Sequence, residues 1–329
     1  GGKRLTEWKK LPLQDTIGES WEVSTHELLP SVIANGTWAG YELREVIAKM
    51  PEAILGKAVA KKYDNQLPLL VKFIDTKSDL SVQVHPDDTM AMREHQDRGK
   101  TEMWYVVDAE KDAYIYAGFK EELSAEEYAK RVADGSIMDA LAKHEIRTGD
   151  VFYIPAGRVH AIGKGVMLVE VQQSSDRTYR IYDYGRMGLD GKPRELHTDL
   201  AMKALDFQVY KAYKNSYTDH IDRANPCLDT EHFSVRVVSI TQPIHRNMVS
   251  YDSFVIQTCT KGACTVRIRS TQDEITLQEG QSCLIPAAIA DYDIIPVSQE
   301  VKLLESYINN SNSSTFRKLI SQFFHMSDF

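Results

Sequence analysis

The sequence predicts a mainly β protein with two β-barrels of one type, a small helical insertion, and helical segments towards both ends. Short runs rich in β-branched residues recur from Leu67 onward, which is typical of antiparallel sandwiches and barrels. One capped helical stretch interrupts these runs near Ser124. Residues 149–160 and 280–291 are similar to each other, which indicates that the β unit occurs twice.

The N-terminal part, before the β runs begin, is predicted to be partly helical. Apolar residues of YELREVIAKMPEAILG recur at the spacing of one helix face until Pro51 interrupts them. These residues are Leu43, Val46, Ile47 and Met50.

The first β unit is predicted from a series of short strands. The turn-forming residues KSD separate the first two runs, as expected for adjacent strands. The runs are LPLLVKFID, LSVQVHPDD, EMWYVVDA, AYIYAGF, DVFYIPA and VMLVEVQQ.

The helical insertion is predicted at about residues 121–146. Ser124 followed by Glu127 is a capping-box pattern, so a helix is expected to begin there and to end near Gly135. A second short helical piece, SIMDALAKHEI, is expected to follow it.

The second β unit is predicted from renewed strand runs after about residue 230. GDVFYIPAGRVH in the first unit matches GQSCLIPAAIAD in the second, and this match places His160 opposite Asp291. The strand Trp104–Val107 is matched to Phe254–Gln257 at an offset of 150 residues. We therefore expect two barrels, of which only the first carries metal-binding residues.

The composition restricts the function classes. A net charge of −8 and a pI near 5.7 argue against a nucleic-acid partner. No apolar run approaches the length of a membrane span, and the first residues contain no apolar core of a secretory signal, which favours a cytoplasmic protein. The chain begins with Gly rather than Met, so export stays open. The four cysteines are expected to be reduced thiols rather than disulfides.

A metal site is predicted in the first β unit. Gln83 and His85 are separated by one residue in a strand, so their side chains leave the same face. Glu102 begins the next strong strand, and His160 follows the GDVFYIPAGRVH strand and turn. This mixed nitrogen and oxygen set is compatible with zinc, manganese or iron.

At these residues the chain resembles the type I mannose-6-phosphate isomerases (phosphomannose isomerases) of the cupin superfamily, in their short bacterial form. The matching stretches are GESWEVS (18–24), LPLLVKFIDTKSDLSVQVHPDD (67–88), GKTEMWYVV (99–107), FYIPAGRVHAIG (152–163) and SSDRTYR (174–180). The resemblance implies two cupin-type (jelly-roll) barrels. The predicted parts are a catalytic domain at 1–215, a second cupin domain without metal ligands at 226–307, and a linker and helix at 308–329.

The resemblance also implies site residues. One zinc ion per chain would be held by Gln83, His85, Glu102 and His160. Arg180, Lys100 and Asp176 would be catalytic, and Lys72 and Ser81 would bind substrate, with the family associating the serine with phosphate. Arg158 and Arg186 are less constrained candidates for the phosphate.

The expected reaction interconverts D-mannose 6-phosphate and D-fructose 6-phosphate through an enediol(ate), so the partner is a small hexose 6-phosphate. Lys100 is the expected base, with a pKa lowered by burial and by the metal. Asp176 is the rival base, or orients Arg180. The alternatives are another metal-dependent cupin enzyme, an oxygenase or epimerase, and a non-catalytic sugar-phosphate-binding protein. Both a monomer and a homodimer are compatible with the sequence.

Overall fold

The computed structural model describes residues 1–12, 16–188 and 191–310 and is mainly β. The helices are α1 Arg4–Trp8, α2 Leu43–Lys49, α3 Pro51–Leu55, α4 Lys57–Lys62, α5 Asp88–His95, α6 Ala125–Asp134 and α7 Thr198–Ala204. The strands are β1 Glu19–Val23, β2 Leu69–Asp75, β3 Val82–Val84, β4 Glu102–Ala109, β5 Tyr114–Phe119, β6 Leu141–Glu145, β7 Val151–Ile154, β8 His160–Ile162, β9 Val166–Gln173, β10 Tyr179–Tyr182, β11 Lys214–Asn215, β12 Arg223–Asp229, β13 Ser234–Ile240, β14 Ile244–Asn247, β15 Val255–Lys261, β16 Ala263–Ile268, β17 Glu274–Gln278, β18 Ser282–Ile285, β19 Asp291–Pro296 and β20 Val301–Tyr307.

The chain divides into two compact units. The first contains Gly1–Leu29 and Leu69–Ser216, and the second contains Pro30–Pro68 and the described residues from Tyr217 onward. Helices α2 to α4 therefore belong with the second unit, whereas the sequence assigned their residues to the first. Most of the predicted C-terminal linker and helix (308–329) lies outside the described residues.

Each unit contains two antiparallel sheets. In the first unit their strand orders are β1-β2-β9-β4-β7-β11 and β10-β3-β8-β5-β6. In the second unit the orders are β12-β13-β20-β15-β18 and β14-β19-β16-β17. Over the described residues none of these sheets closes on itself, so the architecture is a pair of two-sheet units rather than two closed barrels.

The same strand order occurs in both units. The series β2-β9-β4-β7 corresponds to β13-β20-β15-β18, and β3-β8-β5-β6 corresponds to β14-β19-β16-β17. The repeat predicted from residues 149–160 and 280–291 is thus confirmed by topology. The predicted match between Trp104–Val107 and Phe254–Gln257 has the wrong register. Ile154 and Ile285 are equivalent in the two units, and they pair with Glu102 and Val255, which are therefore equivalent as well. Trp104 therefore corresponds to Gln257, three residues beyond the predicted match.

The core of the first unit brings the two sheets together. Trp104, Phe152 and Leu168 of the larger sheet pack with Ile115 and Ile162 of the smaller one, and all are almost fully buried. Burial of this apolar surface is the main stabilising term and fixes which side chains face the space between the sheets.

Helix α6 and the residues after it form the insertion. The Ser124 hydroxyl accepts a hydrogen bond from the Glu127 amide at 3.1 Å, and Gly135 ends the helix with a φ of 81°. The second predicted helical piece, SIMDALAKHEI, is helical only in its first half. Ser136–Ala140 makes one 3₁₀ segment, and the following residues form β6 because they pair with β5.

The four cysteines are free thiols, as expected from the sequence. Burial raises the pKa of Cys264 and Cys283 to about 12, which leaves both protonated near neutral pH. No helix of the described residues is long and apolar enough to cross a membrane.

Candidate metal centre

Three buried side chains from three strands converge between the sheets of the first unit. His85 directly follows β3, Glu102 begins β4 and His160 begins β8. His85 Nε2 lies 3.1 Å from Glu102 Oε1, and His160 Nε2 lies 3.8 Å from Glu102 Oε2. All three are at most 1% exposed, and their ligand atoms lie within 4.8 Å of one another.

Gln83 joins this cluster from β3. It pairs directly across the strands with His160, so the two side chains leave the sheet on one face. The Gln83 amide nitrogen lies 3.3 Å from His160 Nε2. Because a half-turn of an amide exchanges its oxygen and nitrogen, Gln83 can offer its oxygen to the same point. The four predicted ligands are thus neighbours.

Backbone carbonyls fix the orientation of both imidazoles. The Arg177 carbonyl lies 2.9 Å from His85 Nδ1, and the Arg158 carbonyl lies 2.8 Å from His160 Nδ1. A carbonyl only accepts, so both Nδ1 atoms carry the proton and both Nε2 atoms present a lone pair to the centre. This pattern is the usual second layer of a histidine metal site.

The protonation states also suit a cation. Burial lowers the pKa of His85 to about 3 and lowers that of His160 as well, so both rings are neutral near pH 7. Burial alone would raise the pKa of Glu102, but Lys100 and the imidazoles hold it well below its usual range. Neutral imidazoles and an ionised carboxylate are the ligand forms that bind metal.

Several polar atoms at the centre have no hydrogen-bond partner among the described residues. They are His85 Nε2, Glu102 Oε2 and the Gln172 side-chain oxygen, whereas Glu102 Oε1 is in contact with Lys100 Nζ. Leaving such atoms buried without a partner is costly, and a metal ion would satisfy them. The residues present therefore fit a divalent cation.

Two lysines lie beside the centre. Lys100 Nζ is 3.1 Å from Glu102 Oε1, and Lys72 Nζ is 3.5 Å from the carboxylate of Glu170, which is close enough to Glu102 to be affected by its charge. Burial alone would lower the pKa of Lys100, but Glu102 and Glu170 outweigh burial and raise it. The expected lowering combined burial with the charge of a metal ion, and the carboxylates of Glu102 and Glu170 oppose it.

Glu170 is a buried carboxylate that the sequence prediction missed. It pairs across β9 with Lys72 on one side and Trp104 on the other, and the Trp104 indole donates to it at 2.9 Å. Burial and then Glu102 raise its pKa to about 7. A single charge within the apolar run VMLVEVQQ was the signal that could have identified it.

The other predicted site residues do not all lie beside the centre. Arg180 pairs with Gln83 across β10 and β3, so it flanks the centre. Ser81 is buried two residues before Gln83. Asp176 is exposed and lies 3.5 Å from His26 Nε2 and 3.9 Å from Arg177 Nε. Its recorded ion pairs therefore join it to His26 and Arg177 rather than to Arg180.

The equivalent position in the second unit holds an ion pair. Glu305 corresponds to Glu170, since each pairs with the residue equivalent to Trp104. The Arg246 guanidinium binds both Glu305 oxygens, at 2.6 and 3.0 Å, and the Tyr292 hydroxyl donates to Glu305 at 3.0 Å.

Tyr292, rather than Asp291, takes the place of His160. Tyr292 is fully buried, whereas Asp291 is partly exposed and pairs with His245 at 2.6 Å. The match predicted from the sequence was wrong by one residue, because Tyr292 follows Pro286 by six residues and His160 follows Pro155 by five. Arg246 pairs with Tyr292 as Gln83 pairs with His160. The cationic side chain of Arg246 therefore lies where the first unit has Gln83, one of the predicted metal ligands.

Comparison with known proteins gives two family matches. Residues 6–125 match the catalytic domain of type I phosphomannose isomerase, and residues 226–307 match the mannose-6-phosphate isomerase cupin domain.

Individual relatives agree with these matches. Bacillus subtilis GmuF, which is named a probable mannose-6-phosphate isomerase, is 34% identical over 86% of this chain and 88% of its own length. The mannose-6-phosphate isomerase of Streptococcus mutans is 40% identical over 62% of this chain and 63% of its own. The crystal structure of the Bacillus subtilis mannose 6-phosphate isomerase superposes with a TM-score of 0.79, at 31% identity, over 88% of this chain and 89% of that one.

Proposed function

The chain belongs to the type I phosphomannose isomerase family, and we propose that it interconverts D-mannose 6-phosphate and D-fructose 6-phosphate at the His85–Glu102–His160 centre. The observation that carries this assignment is the buried ligand set, whose imidazoles are held in the tautomer that binds metal.

Zinc is the proposed ion, one per chain, with Gln83 completing the ligand set. Two imidazoles, a carboxylate and an amide oxygen form a nitrogen–oxygen set of the kind that zinc accepts. When bound, the ion supplies Lewis-acid stabilisation of the negative charge that develops on the sugar oxygens.

The lysine and arginine side chains around the centre would also stabilise negative charge on the sugar. Lys100, held protonated by its carboxylate neighbours, would donate to a sugar oxygen, and Arg180 would add fixed positive charge on the opposite strand. Lys72 and Ser81 are proposed to contact the substrate. Asp176, which lies on the exposed loop beside Arg177, would act by holding that loop.

The proton moves between C1 and C2, and a group that titrates near neutral pH transfers it most effectively. Lys100 was the first candidate, but its raised pKa favours the charged form. Glu170, with a pKa of about 7, meets this requirement better. It is buried and pairs with Lys72 across strands β9 and β2.

We propose that the second unit carries no chemistry and that residues 226–307 form a cupin-type domain without a metal. The Arg246 guanidinium and its partner Glu305 fill the position equivalent to the centre. A cation there would repel a second metal ion.

The test is removal of single ligands. Gln83→Ala, His85→Ala and His160→Ala are each expected to reduce both bound zinc, measured by elemental analysis, and isomerase activity, measured in a coupled assay on mannose 6-phosphate. His245→Ala in the second unit is the control and should keep both. Full activity in a metal-free His160→Ala protein would overturn the proposal.

A further inference from the structure

We propose that Arg158, held by Tyr210 and Tyr213, is a positioning residue that fixes both histidines of the metal centre through the turn at residues 155–158. The inference rests on the proposed metal centre, but not on the identity of the sugar or on the reaction. It gives Arg158 a role in the affinity for the ion rather than in binding phosphate.

The turn at residues 155–158 contacts both histidines. The Gly157 amide donates to the His85 carbonyl at 2.9 Å. His160 Nδ1 donates to the Arg158 carbonyl at 2.8 Å. A displacement of this turn would therefore change the positions of both imidazoles at once. Metal-ligand distances tolerate changes of only about 0.2 Å, so the stability of the turn bears directly on metal affinity.

The side chain of Arg158 holds the turn in place. Its Nη1 donates to the carbonyl of Tyr153 at 2.8 Å. Tyr153 belongs to β7, the strand that leads into the turn, so the side chain joins the two arms of the turn. The guanidinium carbon also lies 4.8 Å from the centre of the Tyr210 ring and 5.1 Å from that of Tyr213. Arg158 is half-buried, and cation–π contacts are stronger where water is partly excluded.

Tyr213 is itself anchored to the strand beside the turn. It is 7% exposed, and its hydroxyl donates to the Phe119 carbonyl at 2.7 Å. A Cβ at Gly118 would lie 2.2 Å from a ring carbon of Tyr213, so glycine is required there. The Gly118 amide donates to the carbonyl of Val159, the residue before His160, at 2.7 Å. Strand β5 therefore holds both the tyrosine and the backbone that it supports.

Tyr210 is connected back to the turn through Asp206. The Tyr210 hydroxyl donates to the Asp206 carboxylate at 2.6 Å, and the Asp206 amide donates to the Gly157 carbonyl at 2.8 Å. The contacts therefore run from Arg158 through Tyr210 and Asp206 to Gly157, the residue before Arg158. This closed set restricts the turn from two sides, as an outer layer that orients metal ligands must do.

The experiment compares Arg158→Met with Arg147→Met, since the Arg147 side chain is 90% exposed. The zinc affinity of the full chain is measured by competition with a chelator. Arg158→Met should weaken zinc binding by about 10-fold, because the turn loosens while the carbonyl that accepts from His160 remains. Cobalt(II) bound in place of zinc should show shifted d–d absorption bands, since these bands respond to ligand geometry. Arg147→Met should stay within about twofold of the parent in affinity.

A second measurement needs no metal. Exchange of the His160 Nδ1 proton with solvent is followed by NMR in the metal-free chain. Arg158→Met should speed this exchange by about 5- to 30-fold, because the accepting carbonyl is held less firmly. Tyr210 is 37% exposed, so its variants should fold, and Tyr210→Ala serves if Arg158→Met does not fold. Tyr210→Phe, which keeps the ring, should retain most of the affinity that Tyr210→Ala loses.

The outcomes separate the possible failures. Unchanged zinc affinity and unchanged proton exchange in Arg158→Met, with only a lower free energy of unfolding, would overturn the inference. If zinc affinity depends on Arg158 but the parent does not isomerise mannose 6-phosphate, the inference stands and the proposed reaction fails. If the parent binds no zinc, the proposed centre fails, and the exchange of the His160 proton alone decides whether Arg158 positions the ring.

Discussion

Glu170 is a buried carboxylate whose environment shifts its pKa strongly from the ordinary value. It lies in a row with Lys72 and Trp104, and burial together with Glu102 raises its pKa to about 7. Such a group is suited to proton transfer but reduces stability, because the folded chain must bury its charge whenever it ionises. Function and stability are therefore opposed at this position.

The effect of Glu170→Gln on the free energy of unfolding should therefore depend on pH. The folded pKa lies above the unfolded value of 4.5, so the stability associated with Glu170 is present below pH 4.5 and is lost as pH rises through about 7. Relative to the parent, the variant should be more stable at pH 8, by up to about 3 kcal/mol, and nearly equal at pH 4.5.

Urea unfolding of the metal-free chain at the two pH values measures this difference, with exposed Glu122→Gln as the control. The isomerase activity of Glu170→Gln should fall. A stability difference that is the same at both pH values would contradict the assignment.

The site was predictable from the sequence only in part. Alternation in a strand placed Gln83 and His85 on one face, but spacing could not bring Glu102 and His160 to them; only the family resemblance did so. The effect of Glu170 on the pKa of Lys100 was not predicted, because Glu170 lies on β9, distant in the chain.

Helix α6 is the element whose start and end the sequence specified well, because its signals are local. The Ser124 hydroxyl caps the Glu127 amide, and Gly135 takes the left-handed conformation that ends the helix. The adjacent β6 was predicted as helix, because its identity depends on pairing with β5 rather than on its own residues.

Ser124→Ala should loosen α6 by about 1 kcal/mol, which lowers amide-exchange protection in its first turn by about fivefold. Ser270→Ala, in an exposed turn, should leave that protection unchanged. Hydrogen exchange is the appropriate measurement because a chain of two units need not unfold in one step. Equal protection in both variants would show that the capping contact does not stabilise the helix.

At the scale of the whole molecule, the two units share one strand order but differ in the side chains between their sheets. The first unit places side chains that could hold a metal ion between its sheets, and the second fills the equivalent space with Arg246, Glu305 and Tyr292. The duplication was visible in the sequence, but its register was not, since one added residue before Tyr292 changes which side chain faces inward.

Glu305→Gln should destabilise the second unit by up to about 3 kcal/mol, because it leaves the Arg246 guanidinium, which is only 15% exposed, with no carboxylate partner. Calorimetric unfolding should shift to lower temperature, while zinc binding at His85, Glu102 and His160 persists. Glu300→Gln, which removes only an exposed pair with Lys261, is the matched control. Loss of zinc with unchanged unfolding would contradict the separation of roles.

The membership of Pro30–Pro68 in the second unit has a consequence for synthesis. The Asp252 carboxylate accepts hydrogen bonds from the amides of Lys57 and Ala58, which precede it by 195 and 194 residues. At about 5 to 20 residues per second, the ribosome adds Asp252 roughly 10 to 40 seconds after those amides. Helices α2 to α4 therefore remain without this partner during that interval, and their unit can be completed only after Asp252 has been added.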